Sequence, residues 1–266
     1  MDWAGIYLFV VWAAFAASVR FFLRPALECG GVKTVRLDPK DFVLFACIAC
    51  FVVFILSKFR AEFAEFFPGN KAAAVFAYAP VYQILIITAV FLFKNAASAK
   101  FSFGWRFSAA AVKHTLKYSL AALAVAFLAA AVSRGGVYLI SGKLEEGQEI
   151  IKLFLQADSI WLRALAAFSF IVLAPISEEL LFRGLLYRWA KSIAEAIGKH
   201  GAFAAALAVS AVFAAAHSNA AAFASLFVVA MFLTALYEKT GSIVAPMLCH
   251  CIFNFVNVAL ILWLGK

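Results

Sequence analysis

Three stretches in the last third of this chain place polar and charged groups where the surrounding sequence is apolar. The first runs Pro175-Ile-Ser-Glu178-Glu179-Leu-Leu-Phe-Arg183-Gly184, the second Phe213-Ala-Ala-Ala-His217, and the third His250-Cys-Ile-Phe-Asn254. Helical residues four apart share a face, so Glu179 and Arg183 can pair, each lowering the burial cost of the other. Glu178 lies about 100° around the helix from Glu179 and has no cation at helical spacing in its own segment. His250 and Asn254 project together. Three helices thus offer a carboxylate, an imidazole, and an imidazole with an amide, which can converge on one cavity if the helices are neighbours. A charge inside a membrane span costs roughly 2.5 to 3.5 kcal/mol and by default marks a functional site. The structural readings stand beside this one. Glu179 with Arg183 suits an ion pair that pins its helix, His217 an interhelical hydrogen bond, Asn254 helix–helix glue, and Phe213 and Phe227 packing.

The elements that must position these groups are membrane helices. Of 266 residues, 66% are hydrophobic and 14% charged, with 30 Phe and a mean hydropathy of +0.98. Soluble domains average ~45 to 50% apolar and ~25% charged, which excludes a water-soluble globule and a disordered chain. Eight apolar runs follow one another, at about 3–23, 42–56, 72–93, 118–132, 165–189, 203–217, 223–237 and 243–264. The expected fold is an all-α polytopic bundle of about eight transmembrane helices, a single membrane domain over residues 1–266. The N-terminus, Met1-Asp2-Trp3, has no basic region and no small-residue cleavage site, so its first run reads as a retained span.

Basic residues fall unevenly between the runs. With the first, third, fifth and seventh connections inside, fifteen Lys and Arg are cytoplasmic against eight outside, which places both termini outside. The formal charge of +9 therefore reads as an orientation signal and not as a nucleic-acid surface. Between runs, residues 145–155 set Ile150, Ile151, Phe154 and Leu155 on one face and Glu145, Glu146, Glu149 and Lys152 elsewhere, the pattern of a short interfacial amphipathic helix. Residues 94–117 interleave Lys and Arg with Phe101, Phe103, Trp105 and Phe107, an interfacial belt facing anionic lipid. The five cysteines, Cys29, Cys47, Cys50, Cys249 and Cys251, form no disulfide framework, and the spacing of the last two around His250 does not suit a metal site.

The ordered motifs Glu178-Glu179-x-x-x-Arg183, Phe213-x-x-x-His217 and His250-x-x-x-Asn254 resemble those of the CPBP intramembrane proteases, the CAAX-protease and bacteriocin-processing family. The stretch from Glu238 to His250 is similar to that family's lead-in to its last motif. The likeness covers about residues 174–255, so residues 161–266 correspond to the catalytic core and 1–160 to variable N-terminal helices. One departure stands out: the family's Phe-x-x-Gly element is Phe227-Val-Val-Ala230 here, with Thr234 where a second small residue is common. The resemblance implies that Glu178 and His217 activate a water and that His250 and Asn254 bind the developing oxyanion. It gives Glu179 and Arg183 the role of holding the site in shape. A carboxylate withdrawn from water holds its proton more tightly, and fixed donors in a low-dielectric cavity stabilise an oxyanion, so the chemistry agrees with these roles.

Other readings differ at identifiable points. A zinc protease could use Glu178, His217 and His250 as ligands, but no HExxH is present and the resemblance implies a metal-free mechanism, so the expectation is no cofactor, with zinc as the alternative. A serine mechanism lacks a GxSxG motif, and Ser177 reads as a packing hydroxyl. A proton- or ion-coupled transporter would use the same intramembrane acids, although no inverted repeat relates the two halves. A non-catalytic scaffold or immunity protein is the third class. The expected partners are the bilayer and a peptide or protein substrate, prenylated or not, with no nucleic acid. Short connections suit a bacterial inner membrane, with the endoplasmic reticulum as the alternative.

Overall fold

The computed structural model describes residues 3–142, 149–157, 159–198 and 200–264, and all the regular elements among them are helices. Local chemistry sets their ends. Helix α1 (Trp3–Ser18) continues through a π-helical segment, Val19–Leu23, into Arg24–Leu27. Helix α2 (Pro39–Phe66) opens on a reciprocal capping box between Asp38 and Asp41, with Pro39 where its missing N–H costs nothing. Asn70 caps α3 (Lys71–Ala96) by accepting from Ala73 N at 2.9 Å. Ser108 caps α4 (Ala109–Ser141) in the same way, and Gly142 ends it in the left-handed conformation. After α5 (Glu149–Gln156), a helix of 38 residues, α6 (Ile160–Ile197), contains the paired glutamates. Helices α7 (Gly201–Ala216), α8 (Ala220–Thr240) and α9 (Val244–Leu264) complete the chain.

Each of the eight apolar runs is helical, except that His217 ends one just past its helix and Ile243 begins another just before its helix. Helices α2, α3, α4, α6, α8 and α9 are long and apolar enough to cross a bilayer. Helix α7 has 16 residues and is about 24 Å long, short of the ~30 Å hydrocarbon core. The protein is an all-α polytopic membrane bundle.

The chain forms two compact units, each assembled from separated stretches. The first contains residues 1–34, 103–146 and 182–250, and the second residues 35–102, 147–181 and 251–266. Helix α8 is the centre of the first unit: Val228 to Glu238 are all buried. It packs along α4 and against α7 and the end of α1. Phe22, Tyr118 and Phe232 meet there with ring centroids 5.3 to 6.3 Å apart. Residues 31–33 are strapped onto this core. Glu238 accepts from Val32 N at 3.0 Å, Tyr187 OH at 2.8 Å and Lys191 Nζ at 2.6 Å. Lys191 also donates to Val32 O at 2.8 Å and Arg188 to Lys33 O at 2.7 Å. Gly31 lies so close that a Cβ would sit 2.1 Å from the Glu238 carbonyl oxygen.

In the second unit α2 and α3 form a hairpin, and Asp41, buried at the start of α2, accepts from Ser98 N at 2.8 Å beyond the end of α3. Phe76, Phe154, Ala157 and Ala166 make a small core with Ile150, Leu153, Phe170, Val258 and Ile261 around it. Helix α5 is thus amphipathic as its pattern predicts, and the face centred on Phe154 packs against α3, α6 and α9. Ile150 and Leu153 flank Phe154 there, in place of the expected Ile151 and Leu155. Its acidic flank is tied by an ion pair between Glu149 and Lys71, which holds the exposed Glu149 carboxyl below its ordinary value. Glu145 and Glu146 lie outside the described residues.

One part of the charge count needs correction. Of the four cations assigned to the connection after the fifth run, Arg183, Arg188 and Lys191 are 1%, 4% and 2% exposed and sit within α6. Hydropathy windows read them as loop residues because they cannot see the buried acceptors that hold them. Without these three the bias is twelve to eight.

Candidate active site

Helix α6 carries the first motif and is not uniform. A π-helical segment, Ser169–Leu173, precedes Pro175, and a second, Leu180–Tyr187, follows the glutamates. A proline inside a helix removes an N–H and clashes with the carbonyl four residues back. The widened turn ahead of Pro175 relieves that clash and leaves carbonyls for other donors. One of them is used: Asn254 Nδ2 on α9 donates to Phe170 O at 2.8 Å.

In the second unit the residues around the glutamates come from three helices. Glu179 is fully buried and Glu178 half-buried. Tyr82 of α3 lies within electrostatic reach of Glu178, and Cys251 of α9 within reach of Glu179. Ser177, fully buried, bonds to the Gln83 side-chain oxygen and to Ala174 O at 3.0 Å, a tether between α6 and α3. The sequence reading passed over Gln83 and Tyr82. Gln83 carried a signal, as the one amide in the apolar run of α3, whereas a Tyr among so many aromatics carried none. Asn254 commits one of its two amide N–H groups to Phe170 and keeps the second for another acceptor.

In the first unit the remaining motif residues gather around one ring. Phe213 is fully buried. The Arg183 guanidinium stands 4.7 Å over its centroid, while the rings of Phe182, His217 and His250 approach to 5.0, 4.8 and 5.9 Å. Arg183 also donates to Ala230 O at 3.0 Å, a carbonyl that accepts from the Thr234 hydroxyl at 2.9 Å as well. Ala230, in the family's usual glycine position, is 0% exposed, so the small residue lets α6 reach the α8 backbone. Phe213, read from sequence as a packing residue, holds the arginine on its face.

His217 is the C-terminal cap of α7 and is exposed. Ser218 takes a left-handed φ of 50°, turning the chain at once toward Asn219, whose side chain caps α8. That reversal keeps the imidazole at the helix end. His217 Nδ1 lies 2.8 Å from Phe213 O. A carbonyl only accepts, so Nδ1 carries the proton and Nε2 presents its lone pair outward, the tautomer a base needs. His250 is 4% exposed on α9. Among the described residues, no three His, Cys, Asp or Glu side chains are gathered as a metal-binding group.

The family model described as "Type II CAAX prenyl endopeptidase Rce1-like" matches residues 160–256. Over this segment the chain is similar to the CAAX-protease family. The matched stretch begins with α6 and ends two residues past Asn254, so it contains all seven named motif residues. No curated protein and no solved structure matches the chain. This match supports, in general class, a CAAX-type intramembrane protease embedded in a lipid bilayer and acting on a peptide substrate.

Proposed function

We propose that this CAAX-type protease hydrolyses its substrate with a glutamate-activated water and no metal. Glu178 accepts the water proton, assisted by Nε2 of His217. His250 and Asn254 donate to the oxyanion that forms at the scissile carbonyl, and Glu179 with Arg183 keeps the backbone of α6 in register. The observation that carries this reading is the Phe213 cluster, where one buried ring orders Arg183, His217 and His250, and the Phe213 carbonyl sets the tautomer of His217. A cleaved peptide bond of a membrane-associated protein, prenylated in the class the family description names, is the proposed substrate. The proposed location is a bacterial inner membrane, with both termini outside the cytoplasm.

Cleavage of a membrane-tethered reporter peptide by the purified protein tests this. Glu178→Ala should lower turnover by about 10²- to 10⁴-fold, as loss of a general base does. His250→Ala should lower it by about 10²- to 10³-fold, as loss of an oxyanion donor does. Exhaustive chelation should leave wild-type activity intact. Full activity in both variants would remove the mechanism, and loss on chelation that zinc restores would replace it with a metal-dependent one.

A further inference from the structure

Several cations that the protease mechanism leaves unused lie in the first unit. From Phe66 to Leu144 the chain has no Asp or Glu, while it carries Lys71, Lys94, Lys100, Arg106, Lys113, Lys117, Arg134 and Lys143. Among the described residues four of these, Arg106, Lys113, Lys117 and Arg134, belong to the first unit, and Lys239 of α8 lies within electrostatic reach of His114 between Lys113 and Lys117. Lys113 and Lys117 are one turn apart on α4 and both are exposed. His114 interacts electrostatically with Lys113, Lys117 and Lys239, so ammonium groups from two helices lie within electrostatic reach of one imidazole.

The approach to α4 is fastened to the end of α8. Gly104, at φ +74°, accepts from Ile243 N at 3.1 Å, and a Cβ there would fall 2.2 Å from the Gly241 carbonyl oxygen. Phe103 O accepts from Tyr237 OH at 3.0 Å, and Arg106 N donates to Ser242 Oγ at 3.3 Å. The carboxylates nearby are engaged elsewhere: Glu238 is buried with Lys191 and Tyr187, and Glu28 pairs with Arg24 at 2.7 Å. Clustered cations repel one another unless an external anion matches them. Beside them Trp105 and Phe107 are 52% and 74% exposed, just ahead of a membrane helix. Exposed aromatics next to Lys and Arg at a helix end mark the membrane–water boundary, where anionic lipid headgroups supply the counter-charge.

We propose that Arg106, Lys113, Lys117 and Lys239, around His114, form a binding site for the phosphate headgroup of an anionic phospholipid. A phosphate offers several acceptor oxygens and can bridge ammonium groups on α4 and α8 at once. Trp105 and Phe107 sit in the adjoining glycerol and acyl region. The site is independent of the peptidase chemistry and fixes the depth and tilt of the first unit in the bilayer.

Native mass spectrometry of the full-length protein in detergent tests the site, with phosphatidylglycerol and phosphatidylcholine of identical chains as probes. Wild type should retain phosphatidylglycerol preferentially by about tenfold or more. The triple variant Lys113→Gln/Lys117→Gln/Lys239→Gln should lose that preference, while Lys113→Arg/Lys117→Arg/Lys239→Arg and the control Lys40→Gln/Lys58→Gln/Lys94→Gln should keep it. If the triple glutamine variant does not fold, the exposed single variants Lys113→Gln and Lys117→Gln should each lower the preference about threefold. An unchanged preference in the triple variant, or in both singles, overturns the proposal. Displacement of the lipid by millimolar inorganic phosphate overturns the lipid assignment in favour of a free-phosphate site.

Discussion

The ring of Phe213 meets Phe182, Arg183, His217 and His250, four side chains from three helices. A guanidinium over a desolvated aromatic face is worth about 2 kcal/mol, and the same ring limits how far each imidazole can turn. Replacing it with leucine keeps an apolar filler but removes both constraints. Phe213→Leu should therefore lower kcat at least tenfold with little change in KM, while the unfolding midpoint in detergent moves by only a few degrees. Parallel losses in kcat and stability would mark Phe213 as packing alone. Sequence spacing located every motif residue here, since apolar surroundings make a buried charge conspicuous. It could not find this role for Phe213, because a phenylalanine in a Phe-rich helix looks the same whether it packs lipid, protein or a cation.

At the scale of elements, the strap over residues 31–33 depends on one buried carboxylate. Glu238 and Lys191 are 0% and 3% exposed at their side chains, and their 2.6 Å contact neutralises both charges where water does not reach. Breaking such a pair from one side leaves a buried charge behind and costs about 3 to 5 kcal/mol, whereas removing both charges is far milder. Glu238→Gln should thus destabilise the protein strongly in thermal unfolding, and adding Lys191→Met should recover most of the loss. A double variant as unstable as the single would mean that shape, not charge, holds the strap. This pair was hard to see in the sequence. Glu238 and Lys191 lie 47 residues apart near helix ends, where charges usually meet water. Helix α2 shows the same limit in another form. Its apolar run ends at Leu56, yet the helix continues to Phe66 through Lys58, Arg60, Glu62 and Glu65, since hydrogen bonding does not stop where hydropathy does.

For the whole molecule, hydropathy was a sound guide because a bilayer requires every backbone group to bond within its own segment, which makes apolar runs into helices. Sidedness is a weaker inference, resting on a charge bias that the burial of Arg183, Arg188 and Lys191 trims to twelve against eight. The proposed topology of eight crossings has both termini on one side, and the proposed side is outside the cytoplasm. A reporter active only outside the cytoplasm should be active at either terminus, and activity at one end alone would mean that a segment such as the 16-residue α7 does not cross. The two π-helical segments of α6 have a consequence for how this chain can vary. Each holds an extra residue in its turn, so losing one residue between 180 and 182 would shorten the spacing from the glutamates to Arg183 and change the angle between them around α6. Substitutions there leave that geometry intact, but insertions and deletions do not. The constraint on α6 is arithmetical, a fixed residue count between the acids and the arginine that no similarity of side chains can replace.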